Sequence, residues 1–223
     1  MAHILSIETS TTNCSVSLSY QGETLFLKED YSKNYSHAER LHLFIEEVLL
    51  EAKIAKNELD AIAISKGPGS YTGLRIGVST AKGLCYALDI PLIAVATLEH
   101  LAHQVSIKEG LIIPMLDARR MEVYTATYNH QFELIESTIA KVLDENSFQS
   151  LLEAHQVYFI GNGTSKLAEI RKHQNAHFIH DKLPSAQQMS ALAFKYFEEE
   201  QFEDVAYFEP YYLKDFILLK KKK

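Results

Sequence analysis

The sequence predicts an α/β protein in which one supersecondary unit occurs twice. Short β-rich runs alternate with longer stretches of helical periodicity, a pattern typical of mixed sheets covered by helices. The order of the first half, β-β-β-α-β-α-β, recurs more loosely in the second half, which indicates an internal duplication. Each half also opens with a strand that ends in an acidic residue, Glu8 or Asp117, and then turns into a hairpin.

The first half is predicted to begin with an antiparallel meander of three strands, because turn-like links separate its β-rich runs. In the helix that follows, Leu41, Ile45 and Val48 recur on one face, and Ser36 with Glu39 forms a capping-box signature. The predicted elements are strands His3 to Glu8, Cys14 to Tyr20 and Glu23 to Lys28, helix Ser36 to Ala52, strand Ala61 to Ser65, helix Thr72 to Leu88 and strand Pro91 to Ala96.

The second half is predicted to repeat this order and to add a final amphipathic helix. Its elements are strands Leu111 to Leu116, Glu122 to Tyr128 and Phe132 to Glu136, helix Ser147 to His155, strand Val157 to Ile160, helix Thr164 to His173 and helix Ser185 to about Glu200. The pattern resembles the ribonuclease H-like halves of actin-like ATPases and sugar kinases (the ASKHA fold), and it predicts two duplicated lobes, each a mixed five-stranded-type sheet with helices. We expect lobes at residues 1–104 and 105–223, with the 185–200 helix packing back on the first lobe.

The composition argues against several classes of protein. The net charge of −7 is unfavourable for a chain that grips a polyanion over a broad surface. Cys14 and Cys85 have no paired spacing, so neither a disulfide framework nor a thiolate metal site is expected, and a reducing cytosol fits best. No window reaches the roughly 18 apolar residues of a membrane span. The basic tail Lys220 to Lys223 is interpreted as a solubilising end in preference to a membrane or RNA anchor.

The segment Gly67 to Gly77, which reads GPGSYTGLRIG, enters the second helix through a glycine-rich turn. Its glycine spacing differs from a dinucleotide fingerprint and no Gly-Lys-Ser/Thr follows, so a structural strand-to-helix turn is favoured over nucleotide binding. Within that helix Gly73, Gly77 and Ala81 form a stripe of small residues along which another backbone can approach closely. The spacing leaves open whether this backbone belongs to the same chain or to a partner.

Leu43 and Leu50 lie opposite the core-facing stripe of the first long helix, seven residues apart and flanked by glutamates. A single exposed leucine carries no information, whereas two stacked leucines favour a helix-to-helix contact over chance. This pair therefore predicts an interaction surface on the first helix.

Several stretches carry a family resemblance. They are Ile7 to Ser10 with the strand Cys14 to Leu18, the Gly67 to Gly77 motif, Leu116 to Tyr124, which reads LDARRMEVY, and the ending Pro210 to Asp215. Together they resemble the family of the tRNA threonylcarbamoyladenosine biosynthesis protein TsaB (YeaZ-type), a shortened paralogue of the catalytic subunit TsaD. The likeness extends over nearly the whole chain, although Lys214 stands where the family often has arginine.

The resemblance implies a non-catalytic subunit and not an enzyme in its own right. Such a subunit assembles with TsaD, and with the ATPase subunit TsaE in the bacterial complex, so that TsaD transfers threonylcarbamoyl to the adenosine next to the anticodon of tRNA. The resemblance also implies that the first two helices, with Leu43, Leu50, Gly73, Gly77 and Ala81, bind TsaD or a second copy in a homodimer. The chain itself would have no cofactor and would reach tRNA indirectly, and ATP and a metal ion are expected in the partner.

The two histidines that bind the catalytic metal in TsaD, spaced His-x-x-x-His, correspond here to Thr97 and Leu101. Neither a hydroxyl nor an isobutyl group replaces an imidazole ligand, so no metal site is expected. The spacing of His100 and His103 differs from a zinc protease motif, and both are interpreted as polar residues of a helix surface. His37 is interpreted as a solvated or capping residue.

A vestigial nucleotide site is the remaining prediction. Its residues are Glu8, Thr9 and Ser10 in the first lobe and Asp117, Gly161 and Gly163 in the second. Glu8 and Asp117 are the acids that would hold magnesium in an actin-like phosphotransferase, which is the alternative function. A peptidase ranks last, because the sequence contains no Gly-x-Ser-x-Gly elbow. No catalytic residue is therefore assigned to this chain.

Overall fold

The computed structural model describes residues 2–32 and 37–214. Within these ranges the chain forms two mixed sheets of five strands each, and the first and second halves of the chain each supply one sheet. The arrangement of the two sheets and of the helices on their faces determines which side chains meet at the candidate site.

The first sheet is flanked by two long helices. Its strands are β1 (His3–Glu8), β2 (Cys14–Tyr20), β3 (Glu23–Asp30), β4 (Ala61–Ser65) and β5 (Leu92–Val95), and the helices are α1 (His37–Ala52) and α2 (Tyr71–Leu88). The strand order is β3-β2-β1-β4-β5. β1 pairs antiparallel with β2 and parallel with β4, as expected when a hairpin is followed by a helical crossover.

The second sheet repeats this topology. Its strands are β6 (Leu111–Asp117), β7 (Glu122–Asn129), β8 (Leu134–Val142), β9 (Val157–Gly161) and β10 (Ala176–His180), and the nearby helices are α3 (Thr97–Ala102), α4 (Gln149–Ala154) and α5 (Thr164–Ile170). The order β8-β7-β6-β9-β10 corresponds strand for strand to the first sheet, with β6 antiparallel to β7 and parallel to β9. The predicted duplication of an actin-like, ribonuclease H-like lobe is therefore confirmed.

Helices cover both faces of the first sheet. On one face, Leu41 and Val48 of α1 are buried against Val16 of β2, at the helical spacing that the sequence predicts. On the other face lies the last helix, α6 (Ala186–Glu198), whose Met189 packs in one cluster with Ile4 of β1. Successive residues of a strand point to opposite faces, so β1 contributes to both clusters. The C-terminal helix therefore completes the core of the first sheet.

Helix α3 directly follows β5 but packs on the second sheet. Leu98 and Leu101 of this helix belong to a buried cluster with Ile112 of β6. The hydroxyl of Tyr196 on α6 donates a hydrogen bond of 2.6 Å to the carboxylate of Glu99 on α3, so the helices that belong to the two cores touch each other. The lobe boundary between residues 104 and 105 stays a prediction. Helix α3 lies before this boundary in the sequence, but it packs on the sheet of the second lobe.

Two parts of the second sheet differ from the sequence prediction. The predicted helix Thr164 to His173 ends at Ile170, and the strand β10 follows it without having been predicted. The residues of β10 are half-buried or exposed and include two histidines, so the strand lacks a clear apolar pattern. The edge strand β8 continues to Val142, well beyond the predicted end at Glu136, because its polar residues are tolerated on an exposed face.

Two sequence features lie outside the described residues. They are Ser36 of the predicted capping box and the basic tail Lys220 to Lys223. Among the helices of residues 2–32 and 37–214, none is both long enough and apolar enough to cross a lipid bilayer.

Candidate functional site

Glu8, the acid that ends β1, is fully buried and bonded to groups of its own chain. One carboxylate oxygen accepts a short hydrogen bond from the backbone N–H of Ser10. The other lies 2.8 Å from Nε2 of His100, which is also fully buried. The interpretation of His100 as a residue of a helix surface is therefore wrong. The spacing of α3 could not reveal this, because one side of the short helix packs on the second sheet and the other meets the end of β1.

The network around this pair continues through hydroxyl groups. Nε2 of His100 lies 3.3 Å from the hydroxyl of Ser65, which is itself 2.7 Å from the hydroxyl of Thr97. Thr97 also accepts a hydrogen bond of 3.1 Å from the backbone N–H of Gly67. These contacts join the end of β4, the start of α3 and the glycine-rich turn in one buried polar cluster.

The electrostatics of this cluster favour an ionised Glu8. Burial raises the pKa of this carboxyl group, but the hydrogen bond and charge of His100, with the hydrogen bonds of Ser10 and Ser65, outweigh the burial and lower the pKa below its ordinary value. Since the carboxylate is enclosed by these partners, it is not available as a ligand for a nucleotide-bound magnesium ion.

The metal site of the paralogue does not fit the residues present here. The hydroxyl of Thr97 is engaged by Ser65 and Gly67, and the side chain of Leu101 is buried in the apolar core of the second sheet. His103 stacks on Phe132 with 4.0 Å between ring centroids, whereas its neighbour His100 points to Glu8, so the two imidazoles do not converge. In the described part of the chain no three potential ligand side chains cluster as a metal site requires.

The small residues of α2 face the chain's own first lobe. A Cβ atom added to Gly73 would collide with the backbone oxygen of Thr9, and one added to Gly77 would collide with the hydroxyl of Thr9. Ala81 is fully buried, and Thr9 Oγ1 donates a hydrogen bond of 2.8 Å to the carbonyl of Gly73. These three residues of α2 are therefore unavailable to a partner, which corrects the prediction that they form part of a partner-binding face.

The glycine-rich turn packs against the loop after β1. A Cβ atom at Gly69 would collide with the carbonyl of Ser10, which accepts a hydrogen bond of 2.6 Å from the N–H of Ser70. His37 at the start of α1 is buried too, with Nε2 at 2.7 Å from the carbonyl of Thr11, so its interpretation as a solvated residue is wrong. Internal packing thus accounts for the glycine requirement without a bound phosphate.

The candidate residues of the second lobe also contact one another. A Cβ atom at Gly161, whose φ is +125°, would collide with the carbonyl of Met115, and Gly163 donates its N–H to that same carbonyl at 3.0 Å. Asp117 is exposed and lies 2.7 Å from Nζ of Lys166. Asp117 and Glu8 share no hydrogen-bond partner in the described ranges, since Glu8 contacts Ser10 and His100 whereas Asp117 contacts Lys166.

An apolar surface remains exposed on the first two helices. The side chains of Leu43 and Leu50 on α1 are 52% and 78% exposed, and that of Tyr86 on α2 is 86% exposed. Gly83 lies on the exposed side of α2 and has open space around its Cα atom. Tyr86 and Gly83 were not part of the predicted interaction surface. Their position on α2, opposite the stripe of Gly73, Gly77 and Ala81, is the signal that places them on the exposed side of the helix. We call Leu43, Leu50, Gly83 and Tyr86 the two-helix surface.

A cleft of about 720 Å³ lies on the second lobe between the β7–β8 hairpin and the start of α4. Thr127, Glu136, Lys141 and Phe148 are among the residues that line it. Thr127 donates a hydrogen bond of 2.7 Å to Glu136, and Lys141 lies over the ring of Phe148. These polar side chains are thus engaged with the chain itself, and none of the predicted site residues lines the cleft.

Comparison with known proteins gives consistent matches over most of the chain. The family model described as TsaD, tRNA N6-adenosine threonylcarbamoyltransferase, matches residues 32–219. The tRNA threonylcarbamoyladenosine biosynthesis protein TsaB of Bacillus subtilis is 37% identical over 165 residues, which cover 73% of this chain and 72% of that protein. The Escherichia coli protein of the same name is 30% identical over 227 residues, which cover 98% of this chain and 97% of that protein.

The solved structures agree with the sequence matches. YeaZ from Pseudomonas aeruginosa superposes with a TM-score of 0.82 at 29% identity, and the match covers 96% of this chain and 100% of that one. A second structure from the same organism, described as an uncharacterized protein with similarity to peptidase YEAZ, superposes with a TM-score of 0.85 at 28% identity over 96% of this chain and 100% of that one. Together with the duplicated fold and the motifs at Glu8, Gly67 and Asp117, these matches establish that the chain belongs to the TsaB family.

Proposed function

We propose that this chain is a non-catalytic assembly subunit in the biosynthesis of threonylcarbamoyladenosine in tRNA. The names of its relatives support the pathway. The observation that carries the assembly role is the two-helix surface, because Leu50 and Tyr86 are more than three-quarters exposed on neighbouring helices. Large apolar side chains that a protein leaves exposed to water on two neighbouring helices are typical of a contact with another protein.

The chemistry of the buried cluster supports a role without catalysis. Thr97 and Leu101 stand where the paralogue holds its metal, and His100, whose imidazole could serve as a base, is enclosed with Glu8. A catalytic group needs access to the reacting atoms of a substrate, whereas these groups are bonded only to their own chain. We therefore assign catalysis to the partner.

The proposed partner is TsaD, which would hold the metal ion and ATP and transfer threonylcarbamoyl to the adenosine next to the anticodon. In a bacterial complex the ATPase subunit TsaE would join them in the cytoplasm. In the absence of TsaD, the same two-helix surface would pair with a second copy and form a homodimer, because a two-fold axis brings the same patch of both copies together.

A double substitution on the two-helix surface tests this proposal. Leu43→Glu with Leu50→Glu places two charges among the exposed glutamates of α1 and is expected to abolish co-elution with TsaD and to reduce tRNA modification at least about tenfold. The matched control is Leu134→Glu with Ile135→Glu, since both residues are 55% exposed on β8 of the other lobe. Unchanged co-elution and modification in the α1 double variant would show that the surface is wrongly assigned.

An actin-like phosphotransferase remains the alternative function, and it makes a different prediction. It requires magnesium-dependent binding of ATP by the isolated chain, through Glu8 and Asp117. The buried state of Glu8 and the separate partners of Asp117 disfavour it. Calorimetry that detects magnesium-dependent ATP binding, together with its loss in Asp117→Asn, would favour the phosphotransferase over the assembly subunit.

A further inference from the structure

The turn between β6 and β7 presents two adjacent arginines in an unusual backbone conformation. Arg119 and Arg120 have φ angles of 69° and 50°, and the N–H of Glu122 donates to the carbonyl of Arg119 at 3.2 Å to close the turn. Positive φ is unfavourable for a side chain with a Cβ atom, and asparagine and glycine are the residues that usually fill such positions. The turn therefore holds two adjacent basic side chains at positions where smaller residues are favoured.

The carboxylates on either side of this turn are already neutralised. Asp117 is paired with Lys166 at 2.7 Å, and Glu122 is in contact with Nζ of Lys214. The side chains of Arg119 and Arg120 are exposed and have no hydrogen bond or ion pair with any residue in the ranges 2–32 and 37–214. The turn therefore carries two uncompensated positive charges, although the chain as a whole has a net charge of −7.

Aromatic and basic side chains extend from the turn toward α2. Lys214 lies 5.6 Å from the ring centroid of Tyr124, directly beside the turn. Two residues before it, Tyr212 lies 5.0 Å from the ring of Tyr71 at the start of α2. The guanidinium of Arg75 lies 4.2 Å from the centroid of Tyr71, and its Nε donates a hydrogen bond of 3.4 Å to Tyr212.

We define the arginine-turn patch by the basic residues Arg119, Arg120, Lys214 and Arg75 and the tyrosines Tyr71, Tyr124 and Tyr212 among them. Guanidinium groups bind phosphate oxygens through paired hydrogen bonds, and tyrosine rings stack on unpaired bases. We propose that this patch binds the phosphate backbone of an RNA strand, so that the chain contacts tRNA directly. The identity of the RNA as tRNA rests on the function proposed above, whereas the phosphate chemistry rests on the patch itself.

The test replaces the two arginines by the residues that suit their backbone. Arg119→Asn with Arg120→Gly removes both charges and relieves the strained φ angles, so the variant is expected to unfold at the same or a higher denaturant concentration. Its affinity for tRNA, measured by fluorescence anisotropy on the isolated full-length chain, is expected to fall at least about tenfold, and the slope of log affinity against log salt is expected to decrease by about 2.

The matched control removes two exposed charges elsewhere. Lys53→Gly with Lys56→Gln changes the net charge equally, and Lys53 also has a positive φ of 57°, but neither residue belongs to the patch. We expect this control to bind tRNA like the wild type. Equal affinity and equal salt slope in the arginine variant and the wild type would overturn the inference.

The two proposals fail in different ways. If the arginine variant co-elutes with TsaD but binds and modifies tRNA poorly, the patch contacts RNA. If it loses co-elution, the turn is part of the protein interface, and the RNA inference is wrong while the assembly role stands. Failure of the assembly role is seen instead if the Leu43→Glu and Leu50→Glu variant still co-elutes with TsaD. We expect the isolated chain of that variant to bind tRNA like the wild type, since neither leucine belongs to the arginine-turn patch.

Discussion

The pair formed by Glu8 and His100 shows how strongly single side chains depend on each other in this core. Both are fully enclosed at a separation of 2.8 Å. Removing one partner of a buried pair leaves an uncompensated charge, which costs about 3–5 kcal/mol. We expect His100→Ala to lower the free energy of unfolding by this amount at neutral pH, and Glu8→Gln added to that variant to restore part of it. Chemical denaturation of the single and double variants measures both effects.

The same pair predicts a dependence on pH with a defined sign. In the wild type, folding lowers the pKa of Glu8. The ionised carboxylate therefore contributes fully to the free energy of unfolding above the pKa of the unfolded state, and this contribution is lost as the pH falls through the pKa of the folded state. In His100→Ala, burial acts without its main opposing partner and raises that pKa, so acidification stabilises the variant relative to neutral pH. The stability difference between the two proteins should therefore shrink as the pH falls. A difference that is constant with pH would contradict the lowered pKa.

Sequence reasoning could not predict the environment of individual histidines. The identities of Thr97 and Leu101 follow directly from the residue letters, whereas burial depends on which elements meet around a side chain. His100 is enclosed because α3 packs on the second sheet while its other side meets β1 of the first. Helical spacing describes one helix and its faces, so it contains no information on a neighbour 92 residues earlier in the chain.

At the scale of secondary-structure elements, α2 has glycines on opposite faces with different roles, Gly73 on the buried face and Gly83 on the exposed one. Alanine favours a helix over glycine by up to about 1 kcal/mol, but this gain is realised only where the new methyl group has space. Gly83 has open space, so Gly83→Ala is expected to raise the free energy of unfolding by up to about 1 kcal/mol. At Gly73 the methyl group meets the backbone of Thr9, so Gly73→Ala is expected to lower it by about 1–3 kcal/mol.

Thermal or chemical unfolding of these two variants compares the same chemical change in one helix, so each serves as the control for the other. Opposite signs support the assignment of the Gly73 row to internal packing. A stabilising or neutral Gly73→Ala would show that α2 stands further from the loop after β1 than the structure places it, and would make this row available to a partner again.

Elements with a strong apolar pattern were predicted well, and those without one were not. The face of α1 that carries Leu41 and Val48 was identified because its burial depends only on periodicity. The strand β10 was not predicted because it lies at a sheet edge. Polar residues such as His177 and His180 are tolerated there, so the strand has no apolar pattern in the sequence. The Gly73 row was identified as a close-packing face, but its neighbour could be recognised only from the tertiary structure.

At the scale of the whole molecule, the two lobes are connected by more than one chain segment. Gln104 donates a hydrogen bond of 2.7 Å to the carbonyl of Leu183, and Asn13 donates one of 2.9 Å to the carbonyl of Pro184. Farther along, the N–H of Tyr211 donates to the carbonyl of Lys66 at 2.7 Å. With α6 in the first core and α3 in the second, neither lobe completes its packing from its own half of the chain. We therefore expect the two lobes to unfold together.

This cooperativity can be measured because the chain contains no tryptophan, so one introduced residue reports on one lobe. Phe26→Trp places a probe in the first core and Phe178→Trp places one in the second. Met189→Ala on α6 removes a buried side chain and is expected to cost about 2–5 kcal/mol. If the lobes are coupled, this substitution lowers the denaturation midpoint of both probes equally, although Phe178 lies in the other lobe.

The control for this experiment is Gln187→Ala, which changes an exposed residue of the same helix and is expected to leave both midpoints unchanged. Met189→Ala would shift only the Phe26→Trp probe if the lobes were independent, because α6 packs on the first sheet. Such a result would mean that the contacts of Tyr196, Gln104 and Asn13 position the lobes without coupling their stability. Equal shifts of the two denaturation midpoints would instead show that α6 couples the stability of the two lobes. A destabilising change in the second half of the chain would then also destabilise the core beneath the two-helix surface.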